Sequence, residues 1–217
     1  MEEELIRLRK FMLKQVFIFL LILAFTIALT PLIFKIVSSG IEAYSFGVID
    51  TINLYFSISF TLSLVIFIPV FIINFLNYVS DALYEHERKI ISRYKYFFVL
   101  FLIFGFIIGF YASYFSFKIG TAISDILGVK LLQSGKELFF LRIYMGLALG
   151  FCFEVFPAMR LLISLNVIKK GDVLKNTKYL IVFFYIISAL VSPGDWLFGT
   201  LIIFTTLLVV YFLTIYL

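Results

Sequence analysis

Residues 51–80 read TINLYFSISFTLSLVIFIPVFIINFLNYVS, residues 81–95 DALYEHERKIISRYK, and residues 96–117 YFFVLFLIFGFIIGFYASYFSF. The two outer stretches carry no charged side chain. Each is long enough to cross a ~30 Å hydrocarbon core as a helix rising ~1.5 Å per residue. Between them lie Asp81, Glu85, Glu87, the lone histidine His86, and Arg88, Lys89, Arg93 and Lys95. Such a cluster is too polar for lipid and too short for a soluble domain. It is expected as a surface loop, around Ala82–Lys89, held by the helices on either side.

Composition extends this reading to the whole chain. Of 217 residues, 63% are hydrophobic and 14% charged, against roughly 25% charged in soluble domains. Mean hydropathy is +1.13. A soluble fold is excluded, and a polytopic all-α membrane protein is expected. The net charge of +5 is accounted for by membrane loops, so no nucleic-acid partner is expected. One cysteine, Cys152, and one histidine allow neither an intrachain disulfide nor a Cys/His metal site. G-x-S-x-G, H-E-x-x-H, P-loop and paired-Cys motifs are absent. Neither a Ser/His nor an Asp/Asp pair falls inside the spans. No catalytic residue, metal or cofactor is expected, and the chain is not read as an enzyme.

Six transmembrane helices are expected, at about residues 15–34, 54–79, 96–117, 138–165, 179–192 and 196–215, within one membrane domain over 1–217. The stretch AISDILGVKLL is compatible with an interfacial helix, and Ser134–Glu137 has the spacing of a capping box opening the fourth span. The fifth span is short. Four Lys or Arg lie in each of the N-terminal segment, the 81–95 segment and the 166–178 segment. The three intervening segments hold Lys35, then Lys118, Lys130, Lys136 and Arg142, then none. This asymmetry puts both termini and the YEHERK cluster in the cytoplasm.

Glu154, near the middle of the fourth span, is the residue most costly to place in lipid. Gly146, Gly150 and Glu154 recur every four residues and share one helix flank. Pro157 leaves the Phe153 carbonyl without its usual intrahelical donor. One reading is a polar groove opened by the glycines toward the carboxylate; the other is a carboxylate used in helix packing. Gly146/Gly150 and Gly105/Gly109 also fit G-x-x-x-G, the spacing of close helix contact. Asp195 reads as an N-cap of the sixth helix beside an interfacial Trp196. For Glu85, Glu87 and Arg88 the bland reading is a solvated loop that fixes topology. Topology asks for bases, however, and not for acids among them.

Pro69–Lys89, PVFIINFLNYVSDALYEHERK, resembles the segment P-x(8)-F-x-x-P-G/A-L-Y-x-x-E-R/K of the TatC family of twin-arginine protein translocases. LIRLRK at 5–10, Gly109 with Tyr114-Phe115, Phe153-Glu154-Val155, Lys178-Tyr179 and Ser192-Pro193-Gly194-Asp195 resemble further family motifs in the same order. The resemblance implies a six-span receptor for twin-arginine signal peptides of folded cargo, driven by proton-motive force. It also implies TatA/TatB-type single-span partners and homo-oligomeric assembly within a larger complex. The setting would be the cell membrane of a prokaryote or an organellar membrane. Signal-peptide contacts would fall on Glu87, Arg88, Glu85, Glu4 and Glu3, an intramembrane polar site on Glu154, Gly146 and Gly150, and an extracytoplasmic loop on Asp195. Arg7 stands where the family usually has glutamate, and Glu3 or Glu4, one turn earlier, is expected to supply the missing acid while the other pairs with Arg7. Tyr78 and Asp81 replace a Phe and a Pro; Pro157 is displaced by one; Gly199 and Thr205 stand for Gln and Pro. Two alternatives stay open: an ion- or proton-coupled transporter using Glu154, and a divergent accessory TatC paralogue.

Overall fold

A computed structural model describes residues 2–37, 47–128, 135–192 and 197–216. Seven helices follow one another among them: α1 (Glu2–Val37), α2 (Val48–Ser80), α3 (Glu85–Ile126), α4 (Gly135–Ser164), α5 (Lys170–Lys175), α6 (Thr177–Val191) and α7 (Leu197–Tyr216). Five of them, α1 to α4 and α7, are long and apolar enough to cross a membrane. The sixth apolar helix, α6, has 15 residues and reaches only ~22 Å at ~1.5 Å per residue. The chain is an all-helical, multi-pass membrane protein.

The helices overrun the uncharged stretches. Tyr84 is the extended residue before α3, and Glu85 already lies in its first turn. The charged cluster is therefore a helix start rather than a loop; only Asp81–Tyr84 turn the chain. At the other end α3 continues unbroken to Ile126, so Ala122–Ile126 form its last turns rather than a separate interfacial helix. Gly128, at φ +70°, then ends it with its N–H on the Asp125 carbonyl. Helical hydrogen bonding does not stop where charge begins, because polar side chains at the interface reach water while the backbone stays satisfied. The capping box expected from Ser134, and the 193–196 turn with Asp195, lie outside the described residues.

Packing divides the chain into two compact units, Met1–Ala82 with Gln133–Phe139, and Leu83–Leu132 with Phe140–Leu217. In the first, α1 and α2 run antiparallel. Rising numbers on one meet falling numbers on the other: Arg7 with Asp81, Gln15 with Asn74, Thr26 with Ser63 and Thr30 with Ser59. The last two are hydroxyl pairs at 2.6 and 2.7 Å, and all four side chains are buried. Apolar burial drives little association in lipid, so small residues and interhelical hydrogen bonds, each ~0.6 kcal/mol, hold such a seam. Phe19 wedges edge-on against Phe60 and Phe67 beside it.

In the second unit the seam between α3 and α4 is made of glycine. A Cβ on Gly109 would overlap the Met145 carbonyl oxygen, and one on Gly105 would lie 2.6 Å from that of Leu149. The partner atoms are backbone and have nowhere to go, so both glycines are required for this approach. α7 supplies much of the adjoining core through Ile203, Leu207, Tyr211 and Ile215, against Leu149, Cys152 and Phe184. The fully buried Tyr211 hydroxyl is satisfied by Thr177 at 2.5 Å. α4 ends in a Schellman turn: Asn166, at φ 57°, directs its N–H to the Ile163 carbonyl, and the Val167 N–H reaches that of Leu162.

Candidate functional site

The acids that open α3 sit where the helix leaves four backbone N–H groups unsatisfied. Glu87 Oε2 accepts the Tyr84 N–H at 3.2 Å, so this carboxylate closes the turn before the helix. Glu85 and Glu87 both lie in the first turn, where the helix dipole favours negative charge. Glu85 and Arg88 are exposed and Glu87 is half-buried. Three side chains of the sequence reading are thus held on one short, rigid helical turn. Glu87 has a structural task beside any recognition.

In the first unit, Arg7 Nη2 pairs with Asp81 Oδ2 at 2.9 Å, and its guanidinium lies 5.1 Å from the Tyr78 ring centroid. Tyr78 in turn stacks on Phe11 at 4.6 Å. Glu3 and Glu4 lie in α1, and their side chains are outside the described residues. Among the described residues Arg7 pairs with Asp81, and the expected role of Glu3 or Glu4 lies outside them. Sequence spacing missed this because the two residues stand 74 positions apart. Both side chains are nearly half exposed, so the pair is worth at most ~1 kcal/mol, with a similar increment from the ring. A double-mutant cycle with Arg7→Ala and Asp81→Ala, followed by chemical denaturation in detergent, should give a coupling of about 0.2–1 kcal/mol. That coupling should shrink at high salt; a salt-independent value would place the pair in a drier setting than its exposure indicates.

Within α4, Glu154 is about nine-tenths buried, and neither carboxylate oxygen has a hydrogen-bond partner among the described residues. A Cβ on Gly146 would strike the Phe106 ring at 2.8 Å, and one on Gly150 would lie 3.2 Å from the Leu102 carbonyl oxygen. The two glycines accommodate α3 rather than an open groove, in line with the G-x-x-x-G reading. Arg142, also buried, lies 5.7 Å from the Phe110 ring centroid and 5.4 Å from that of Tyr114. Two aromatic faces thus replace part of the water this guanidinium gives up. Among the described residues no group of three or more His, Cys, Asp or Glu side chains is placed to hold a metal ion.

The family model for TatC, Sec-independent protein translocase protein, matches residues 3–214. The chain belongs to the TatC family. A TatC protein of Helicobacter pylori (strain J99) is 25% identical over 157 residues, covering 68% of this chain and 59% of that one. The Desulforapulum autotrophicum TatC is 26% identical over 174 residues (79% and 63% covered), and the Bacillus subtilis TatCy 24% over 172 residues (79% and 67%). The chain spans about three fifths of the length of the first of these relatives. A crystal structure of the twin-arginine translocase receptor TatC shares its fold, with a TM-score of 0.79 over 98% of this chain and 96% of that one at 20% identity. Three positions at which the sequence departs from the TatC pattern, Arg7, Tyr78 and Asp81, meet in one cluster. Gly199 and Thr205 have no such explanation in the structure.

Proposed function

We propose that this chain is the receptor subunit of a twin-arginine translocase, taking the signal peptides of folded cargo at the membrane face where α3 begins. The observation that carries the reading is the TatC family match, which runs from residue 3 to residue 214 and so takes in every motif quoted above. The exposed first turn of α3 supports it, because a carboxylate held on a rigid helix start suits bidentate pairing with a guanidinium. Glu87 and Glu85 accept the arginine pair and Arg88 shapes the same turn, while Glu3 and Glu4 on α1 are separate candidate contacts for the signal peptide. Glu154 is the polar centre within the membrane, and Asp195 belongs to the extracytoplasmic connection. Both termini and the α2–α3 turn face the cytoplasm, as the twelve clustered bases require. TatA/TatB-type single-span proteins complete the machine, proton-motive force drives it, and no enzymatic step is assigned. The relatives are bacterial, in keeping with a prokaryotic cell membrane.

Co-purification of a twin-arginine precursor with the tagged chain tests this directly. The precursor should be retained, and retention should fall about tenfold or more when its two arginines become lysines, which keep charge but lose the fork geometry. Equal retention of both precursors would sink the receptor reading. It would leave the accessory-paralogue alternative, which the substitutions at Arg7 and Asp81 favour.

A further inference from the structure

Arg160 lies on α4, four residues before its last residue. It lines a pocket of about 380 Å³ with Arg93, Tyr94, Phe97, Phe156 and Pro157. The pocket lies between the start of α3 and the end of α4, the helix ends that the basic residues assign to the cytoplasmic face. Two guanidinium groups share its wall, no carboxylate lines it, and neither arginine has an ion-pair partner among the described residues.

The wall is built firmly. Tyr94 Oη and Ser164 Oγ share a hydrogen bond of 3.0 Å that ties α3 to α4 at the pocket's edge. Phe156 stacks on Phe101 at 4.8 Å, and the Arg160 guanidinium lies 6.0 Å from the Phe156 centroid. Contact with an aromatic ring orients a guanidinium while its N–H groups stay available for an anion. Two like charges around one concavity repel each other, and an anion between them removes that penalty. The remaining lining is aromatic or proline, which suits an acyl chain and does not suit a freely hydrated ion.

We propose that this pocket binds the phosphodiester headgroup of an anionic phospholipid, with Arg93 and Arg160 on the phosphate and Phe97 and Phe156 against the first part of the acyl chains. The bilayer that surrounds α3 and α4 supplies this ligand at the required depth, as basic pockets between helices on the cytoplasmic side do generally. A soluble phosphate shares the headgroup chemistry but would leave the aromatic wall uncovered.

The full-length protein, delipidated in a neutral detergent, is given phosphatidylglycerol or phosphatidylcholine of the same acyl composition. Bound lipid is counted by native mass spectrometry. Phosphatidylglycerol should be retained in preference to phosphatidylcholine, and Arg93→Gln with Arg160→Gln should weaken its binding about tenfold or more. Arg93→Lys with Arg160→Lys should recover part of it, since charge returns without the fork. Equal retention of the two lipids, or retention of phosphatidylglycerol by the glutamine pair at the native level, overturns the proposal. Inorganic phosphate that binds with the same arginine dependence while phosphatidylglycerol does not would assign the pocket to a soluble anion, also against it. Should the glutamine pair fail to fold, the comparison of the two lipids on the native chain still decides.

Discussion

Glu87→Ala is expected to weaken cross-linking of a twin-arginine peptide to this protein by about ten- to a hundredfold. The estimate follows from a charge-assisted, partly shielded guanidinium–carboxylate pair worth ~1.5–3 kcal/mol. The structure adds a second consequence, because Glu87 also accepts the Tyr84 N–H at the start of α3. Alanine loses that acceptor and should cost stability by roughly 0.5–2 kcal/mol, as other helix-start capping residues do. Glutamine keeps a carbonyl oxygen at the same reach. Glu87→Gln should therefore hold the melting temperature near native while losing most of the peptide affinity, and this separates recognition from folding. Peptides in which two lysines replace the arginines should bind the native chain weakly, and the same exchange should matter much less in Glu87→Gln. The double-mutant cycle measures the coupling. Additive effects would mean that Glu87 caps the helix and does not touch the arginine pair.

Glu154 carries the second large effect. Its carboxylate is buried with neither oxygen bonded among the described residues, so a structural role would leave its cost unexplained. An amide of equal size adds no buried charge and keeps a polar group of the same reach, so exchanging this carboxyl group for it puts little stability at stake. Glu154→Gln should accordingly melt at or above the native temperature in detergent. Glu154→Ala, inserted at native levels, should lower export of a twin-arginine reporter about tenfold or more, the loss expected when one polar contact of ~1.5–3 kcal/mol disappears. Glutamine should be milder wherever hydrogen bonding outweighs charge. Normal export by Glu154→Ala, or a marked drop in the melting temperature of Glu154→Gln, would return this carboxylate to helix packing. The first result removes its function and the second reveals a partner.

The membrane class, the six apolar segments and the family resemblance were all legible in the chain itself, for a physical reason. Lipid tolerates only backbone that satisfies its own hydrogen bonds, so a run of about twenty uncharged residues has few alternatives to a helix. The glycine spacing at 105/109 and 146/150 was likewise readable as close approach, because i and i+4 share a helix face. Helix ends were not. Charge marks where a side chain meets water, whereas α3 runs on through its charges at both ends to a length of 42 residues. Pairing between distant residues was not legible either. Arg7 found Asp81 at the end of another helix, Gly146 and Gly150 were taken up by α3, and Arg93 came to share a pocket with Arg160. Each depends on which helix lies alongside which, and at what register. In a bilayer that choice rests on shape and on a few polar contacts rather than on a hydrophobic pattern along the chain, so only the packed structure decides it.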